Sequence, residues 1–337
     1  MAVLTTSGTY NGWSQSAVQL ITSALRLCQV VGEDETPTGF QLESGLDAMN
    51  AMLLGWSASG IHVWAETEAI IFCQPSQYLY QLGGTSTDAV APFNSTVLTT
   101  LAAPVAMGGN AATLTSTAGV NAGDTIGFNI SGAPNYVTTV SAVAGDVVTI
   151  TGTMPVAAPS GTVVFDYPIA MPRPLRVYGG RRFLLSSQQD TPMIEMARLD
   201  YQNQPAKTST GIITQYFFDP QTAGKSVGAY ASNNATALVY LWPSPQDNTY
   251  AFRFSAQRPM QDISNLANLP DLPREWNAAI KWNLAVELAP EYGVPSQTDT
   301  MQVITSRAGY WFNLVSSWDK EPQSILFGVA TRPGYRR

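Results

Sequence analysis

Charge is what this chain has least of. Of its 337 residues only 12% are Asp, Glu, Lys or Arg, about half the usual share in a globular protein. A surface so short of charge points to burial by association, in self-assembly or in a large complex. Basic residues are nearly missing from the first half. Residues 1–85 hold one, Arg26, against seven acids, and residues 86–166 hold four acids with neither Lys nor Arg. The other 16 basic groups fall in residues 167–337, beside 13 acids. A net charge of −7 argues against a protein that grips nucleic acid over its whole surface, because phosphate neutralisation needs Lys and Arg.

Histidine and cysteine are scarce too. The one histidine, His62, has no Gly-x-Ser-x-Gly elbow to serve and reads as a strand-start side chain. One His with two scattered Cys makes a poor zinc set. No P-loop or Gly-x-Gly-x-x-Gly occurs. The expectation is therefore no catalytic residue, no metal and no cofactor. Cys28 and Cys73 fall in different expected elements without a C-x-x-C, which reads as two buried thiols in a reduced protein made in the cytoplasm. No stretch reaches 18 apolar residues and no basic-then-apolar leader is visible, so neither a membrane span nor an export signal is expected.

Two carboxylate sets keep hydrolysis open, since glycosidic chemistry needs only two well-placed acids. Glu33-Asp34-Glu35 reads as a solvated loop. Glu66 and Glu68 share one face of a strand. Arg173, Arg176, Arg181 and Arg182 gather around Tyr178-Gly179-Gly180, where a phosphate contact competes with a plain hairpin carrying Arg on its solvent face. Trp276, Trp282, Trp311 and Trp318 read most simply as helix-packing residues.

Hydrophobic spacing gives an α+β chain. Residues 14–31 predict a helix capped by Ser14 and stopped by Gly32, and residues 38–58 a second, together a helical hairpin. Residues 62–72 and 77–82 read as strands. Composition then shifts to Ala, Thr, Val, Gly and Ser, with short alternating runs at 125–130, 137–140 and 147–150, which predict an inserted Ig-like β-sandwich over 88–166. An antiparallel β region resumes with strands at 174–178, 182–186, 211–218, 236–242 and 249–256, and a short helix around Met193–Leu199. Helices return after Pro273, to about Leu288, and over 296–318. The N- and C-terminal helices are expected to form a helical bundle. The domains read as 10–82 plus 167–320 for the core, 88–166 for the insert and 321–337 for an extended tail.

Two stretches carry a family likeness. One is Ala24-Leu25-Arg26-Leu27, then Gly32-Glu33 and Glu35-Thr36-Pro37, then Leu46-Asp47-Ala48-Met49-Asn50-Ala51-Met52-Leu53 and Trp56-Ser57-Ala58-Ser59-Gly60-Ile61. The other is Leu272-Pro273-Arg274-Glu275-Trp276 followed by Asn283-Leu284-Ala285-Val286-Glu287-Leu288-Ala289-Pro290-Glu291-Tyr292-Gly293. With Tyr216-Phe217-Phe218-Asp219-Pro220 and Leu238-Val239-Tyr240-Leu241-Trp242-Pro243-Ser244-Pro245 between them, they resemble the head-to-tail adaptors of short-tailed bacteriophages, the tail accessory or packaged-DNA stabilisation proteins. The resemblance covers about 10–82 and 167–320. Residues 90–166 depart from it, because typical members join the flanking strands directly.

The resemblance implies a structural protein of the virion neck: a dodecameric ring below the portal, with DNA passing through it without sequence-specific binding. Its implied partners are the portal protein, tail nozzle or tail fibre proteins, and other copies of itself, with no membrane. The C-terminal tail would reach the portal, through Ile325, Leu326, Phe327, Tyr335, Arg336 and Arg337. A virion-borne cell-wall hydrolase and a β-sandwich adhesin stand as alternatives.

Overall fold

The computed structural model describes residues 13–58, 65–84, 88, 90–220, 236–295 and 298–318. It is a mixed α+β chain in two compact units, residues 1–64 with 260–337 and residues 65–259. Among the described residues the α-helices are α1 Ala17–Leu27, α2 Gly39–Ala58, α3 Arg198–Gln202, α4 Asn277–Leu288 and α5 Asp299–Trp318.

The first unit brings α1, α2, α4 and α5 onto one core. Leu20, Ile21 and Leu25 of α1 meet Met49 and Leu53 of α2, Ile280, Leu284 and Leu288 of α4, and Ile304 of α5. Each such side chain removed from water stabilises by roughly 1.5–3 kcal/mol. Trp56 anchors the contact, with its ring 5.7 Å from Trp276 and 5.2 Å from Phe312. Helix α2 starts where Thr38 and Gln41 exchange bonds: Thr38 N–H donates to Gln41 Oε1 at 2.8 Å, and Gln41 N–H to Thr38 Oγ1 at 3.3 Å, a capping box. Gly45 is required by packing, since a Cβ there would lie 2.4 Å from Ile21 Cγ2.

Helix α1 is shorter than its periodicity predicts at both ends. Ser16, not Ser14, precedes its first turn. Its end comes at Gln29, which has φ 59°. Val30 N–H reaches back to Leu25 O and Gln29 N–H to Arg26 O, so the last carbonyls are satisfied by a left-handed turn well before Gly32.

The second unit opens with β1 Glu66–Phe72, β2 Leu79–Leu82 and β3 Val90–Pro92. The inserted stretch holds β4 Val97–Thr100, β5 Ala111–Thr113, β6 Thr125–Asn129, β7 Tyr136–Ala144, β8 Val147–Ile150 and β9 Val163–Tyr167. Then come β10 Arg176–Leu184, β11 Gln189–Pro192, β12 Ile194–Glu195, β13 Thr210–Gly211, β14 Gln215–Asp219, β15 Ala237–Trp242, β16 Ser244–Pro245 and β17 Tyr250–Gln257. They make a five-stranded sheet in the order β11-β10-β17-β1-β3, a four-stranded sheet β12-β14-β15-β2, a β13-β16 pair and a six-stranded sheet β4-β9-β6-β7-β8-β5.

Strand β1 is apolar on both faces, and the period of two sorts its side chains. Ala69 and Ile71 pack with Phe252 and Phe254 of β17 and with Tyr216, Val239 and Leu241 of the four-stranded sheet. Ile70 and Phe72 turn the other way, onto Phe165 and Tyr167 of the insert and Phe183 of β10.

Two sequence expectations are corrected here. The insert is not a pair of separate sheets, as an Ig-like sandwich has. Strand β7 pairs with β6 along its first half and with β8 along its second, with a register shift at Val140/Ala142. The two outer strands are joined by a Leu101–Leu114 bridge. One six-stranded sheet thus curls around a single core of Ile126, Phe128, Val140, Val148 and Val164. The second correction is at Tyr178-Gly179-Gly180. The expected hairpin between 174–178 and 182–186 is one strand, β10, with a bulge between Tyr178 and Arg181. Gly179 takes φ +61°, and a Cβ on Gly180 would lie 2.3 Å from the Tyr216 ring. The turn-like dipeptide lets β10 pass beneath Tyr216.

Candidate functional site

The bulge in β10 sets the one charged constellation that spans several strands among the described residues. It adds a residue to β10, so Arg181 rather than Gly180 stands opposite Arg253 of β17. Arg181 Nη2 donates to Glu68 Oε1 at 2.6 Å and Arg253 Nη2 to Glu68 Oε2 at 2.5 Å. Arg253 Nη1 also reaches Asp190 Oδ2 of β11 at 3.0 Å. The Arg253 guanidinium carbon sits over the Phe93 ring, 3.8 Å from its centroid. Four strands are tied by two guanidinium groups and two carboxylates.

This geometry bears on the carboxylate candidates. Burial pushes the Glu68 carboxyl up, but hydrogen bonds and charge from Arg253 and Arg181 outweigh it and hold the group below its ordinary value. A general acid in glycoside hydrolysis needs the opposite displacement. Glu66 is on the same strand, paired in register with Gln257. Glu33, Asp34 and Glu35 are exposed in the loop between α1 and α2; Glu35 Oε2 accepts from Gly32 N–H at 3.2 Å.

The arginine candidates are all engaged locally. Arg173 donates to Pro220 O at 2.7 Å. Arg176 lies over Tyr178 and Arg182 over Tyr250, and Arg182 also donates to Ile213 O. The structure disperses them among carbonyls, rings and Glu68 instead of collecting them into one phosphate cradle.

A second carboxyl pair escaped sequence reasoning. Asp166 lies on β9 between Phe165 and Tyr167, and the alternation that sends those two rings outward sends Asp166 inward, on the side of Val164. It is fully buried, and among the described residues no N–H group reaches either oxygen. Burial first, then the charge and hydrogen bond of Asp124, push its carboxyl up to about 7. The pair is legible only once Val164-Phe165-Asp166-Tyr167 is placed on a strand, because its members are far apart in sequence.

Cys28 and Cys73 are both buried and free, as the sequence reading expects, and burial pushes their thiols up to about 11 and about 12. Trp276 is buried and Trp282 and Trp311 pack partly on the helical core, whereas Trp318 is 79% exposed, a correction to its reading as a packing residue. A shallow cleft of about 220 Å³ in the helical unit is lined by Trp13, Gln15, Leu269, Leu272 and Arg274, with no carboxylate, His or Cys. His62 and the six tail residues, Ile325, Leu326, Phe327, Tyr335, Arg336 and Arg337, lie outside the described residues.

Among the described residues no group of three or more His, Cys, Asp or Glu is placed to hold a metal ion, and no helix is long and apolar enough to cross a membrane. No protein-family model matches the chain, and no curated protein matches it.

Proposed function

We propose that this chain is a structural head-to-tail connector of a tailed phage, assembling as a ring below the portal through which DNA passes. The observation that carries this reading is the shared core of α1 and α2 with α4 and α5. Helices from opposite parts of the chain meet there although the β region separates them in sequence, the order in which the adaptor-like motifs occur. In this reading the four helices are the bundle of the connector, residues 10–82 with 167–320 are its core, and the insert is an added module that meets capsid or fibre. The portal contact belongs to residues 321–337, and the protein resides in the virion neck.

Two further features favour a structural role over a chemical one. Glu68, the best placed of the expected acids, is locked between two guanidinium groups. The net charge of −7 suits a conduit along which DNA slides, since a basic wall would hold it by counterion release.

Electron microscopy of intact particles tests the reading. A symmetric collar of this chain between capsid vertex and tail is the expected result; the chain anywhere else overturns it. Zymography on peptidoglycan with wild type and Glu68→Gln tests the chemical alternative, and clearing that the variant loses would also overturn the reading.

A further inference from the structure

Helices α2 and α5 are both 20 residues long, about 30 Å. Each buries one face in the helical core; α5 presents an apolar stripe outward, and α2 an outward stripe that is part apolar and part acidic. On α2 the outward stripe holds Phe40 and Leu54, 86% and 50% exposed, with the exposed Glu43 and Asp47 between them. On α5 it holds Val303, Tyr310, Leu314 and Trp318, 55%, 55%, 39% and 79% exposed, with the exposed Arg307 among them. The spacings of three, four and seven residues set each group along one side of its helix. On α5 four large apolar side chains are gathered in this way rather than scattered singly, which marks an interaction surface.

The two stripes are complementary in charge and in register. The α2 stripe carries two acids and no basic group, whereas the α5 stripe carries Arg307 near its middle and an acid, Asp299, only at its N-terminal end. Glu43, Asp47 and Arg307 make no ion pair or hydrogen bond with any described residue. Laid side by side in the same direction, the helices match at two positions. Asp47 and Arg307 are each the ninth residue, and Leu54 and Leu314 each the sixteenth.

We propose that the outward face of α5 docks on the outward face of α2 of a second copy, the two helices parallel, with Arg307 against Asp47 and Leu314 against Leu54. Resting on the connector reading, the proposal names the surfaces through which that assembly forms. The contact is heterologous: each copy offers one α2 face and one α5 face, so the chain closes into a ring where the rotation allows and runs into a filament where it does not. Like charges at either position oppose it.

Cross-linking and sedimentation of the full chain test it. Ala51, exposed on α2 between Asp47 and Leu54, and Tyr310 on α5 fall at neighbouring levels in this register. Because Cys28 and Cys73 are buried, a short bismaleimide reads the introduced thiols. A mixture of Ala51→Cys and Tyr310→Cys chains is expected to give a covalent dimer, and each variant alone none. Asp47→Arg and Arg307→Asp are each expected to weaken self-association about tenfold, with the double reversal restoring it. Adducts formed by either cysteine variant alone, or association unchanged by both reversals, overturn the proposal. Closed rings without the Ala51→Cys to Tyr310→Cys adduct overturn this interface and leave the connector reading standing. The adduct in open filaments alone, with no collar in the particle, supports the interface and overturns the connector.

Discussion

Asp166 occupies a position that strand period reserves for an apolar side chain, and its environment answers for it. Buried against Asp124 without an N–H donor, the carboxyl titrates at about 7 instead of near 3.8. The folded state therefore binds this proton more tightly than the unfolded chain does. Between pH 4 and 7 stability contributed by the group falls as pH rises, by up to about 1.4 kcal/mol per unit, and above pH 7 it stays lost. Asp166→Asn, which cannot ionise, is expected to flatten this slope and to be at least as stable as wild type at pH 8. Urea unfolding of both proteins at pH 5 and pH 8 reads the difference; parallel slopes would show that the pair bears no shared proton. Phe165 next to it poses a packing case. A Cβ on Gly127 would lie 2.0 Å from the Phe165 ring, which stacks on Phe72 at 3.7 Å and 6°. Gly127→Ala should displace that ring and cost about 1–3 kcal/mol, seen as a lower midpoint in thermal unfolding.

The elements show how far local sequence carries. Helix α2, β15 and β17 lie within a residue or two of their predicted bounds, because their apolar spacing agrees with their caps and turns. Helix α1 ends early because Gln29 adopts a left-handed conformation normally given to Gly, which no residue-type rule anticipates. Strand β10 reads from sequence as two strands because Gly179-Gly180 looks like a turn; the glycines instead make room for Tyr216, which comes from a strand more than thirty residues later. Gly180→Ala is accordingly expected to destabilise by about 1–3 kcal/mol through overpacking and to disturb the Arg181–Glu68 pair. Tyrosine fluorescence and chemical denaturation check it, and a neutral outcome would place the bulge elsewhere. The charged constellation was half legible. Glu68 and Arg181 both stand out in the sequence, but their pairing depends on the bulge, and Arg253 is hidden in an ordinary alternating strand.

At the scale of the molecule, the insert is legible as a composition change and illegible as a contact. Its lack of Lys and Arg marks it off, yet nothing in its Thr- and Val-rich runs announces that Phe165 and Tyr167 share a core with Ile70, Phe72, Phe183 and Leu185. The compact unit of residues 65–259 includes it. Deleting residues 97–166 with a short linker is therefore expected to uncover that core, lower the unfolding midpoint and raise binding of a hydrophobic dye; a deletion as stable as wild type would make the insert a passive addition. The candidate portal residues lie outside the described residues, and only the resemblance assigns them to a portal contact.

One joint in the second unit has a mechanical meaning. Asn248 donates to Ile130 O, Ala133 O and Asn135 Oδ1 at 2.9–3.0 Å, while Asn135 donates to Cys73 O and to the Gln74 side chain. These amides fasten the β6–β7 loop to the segment leaving β1 and to the turn before β17. A load applied to the far end of the insert is thus delivered to the middle of the five-stranded sheet, as by a lever welded to its axle, and does not dissipate in a slack tether.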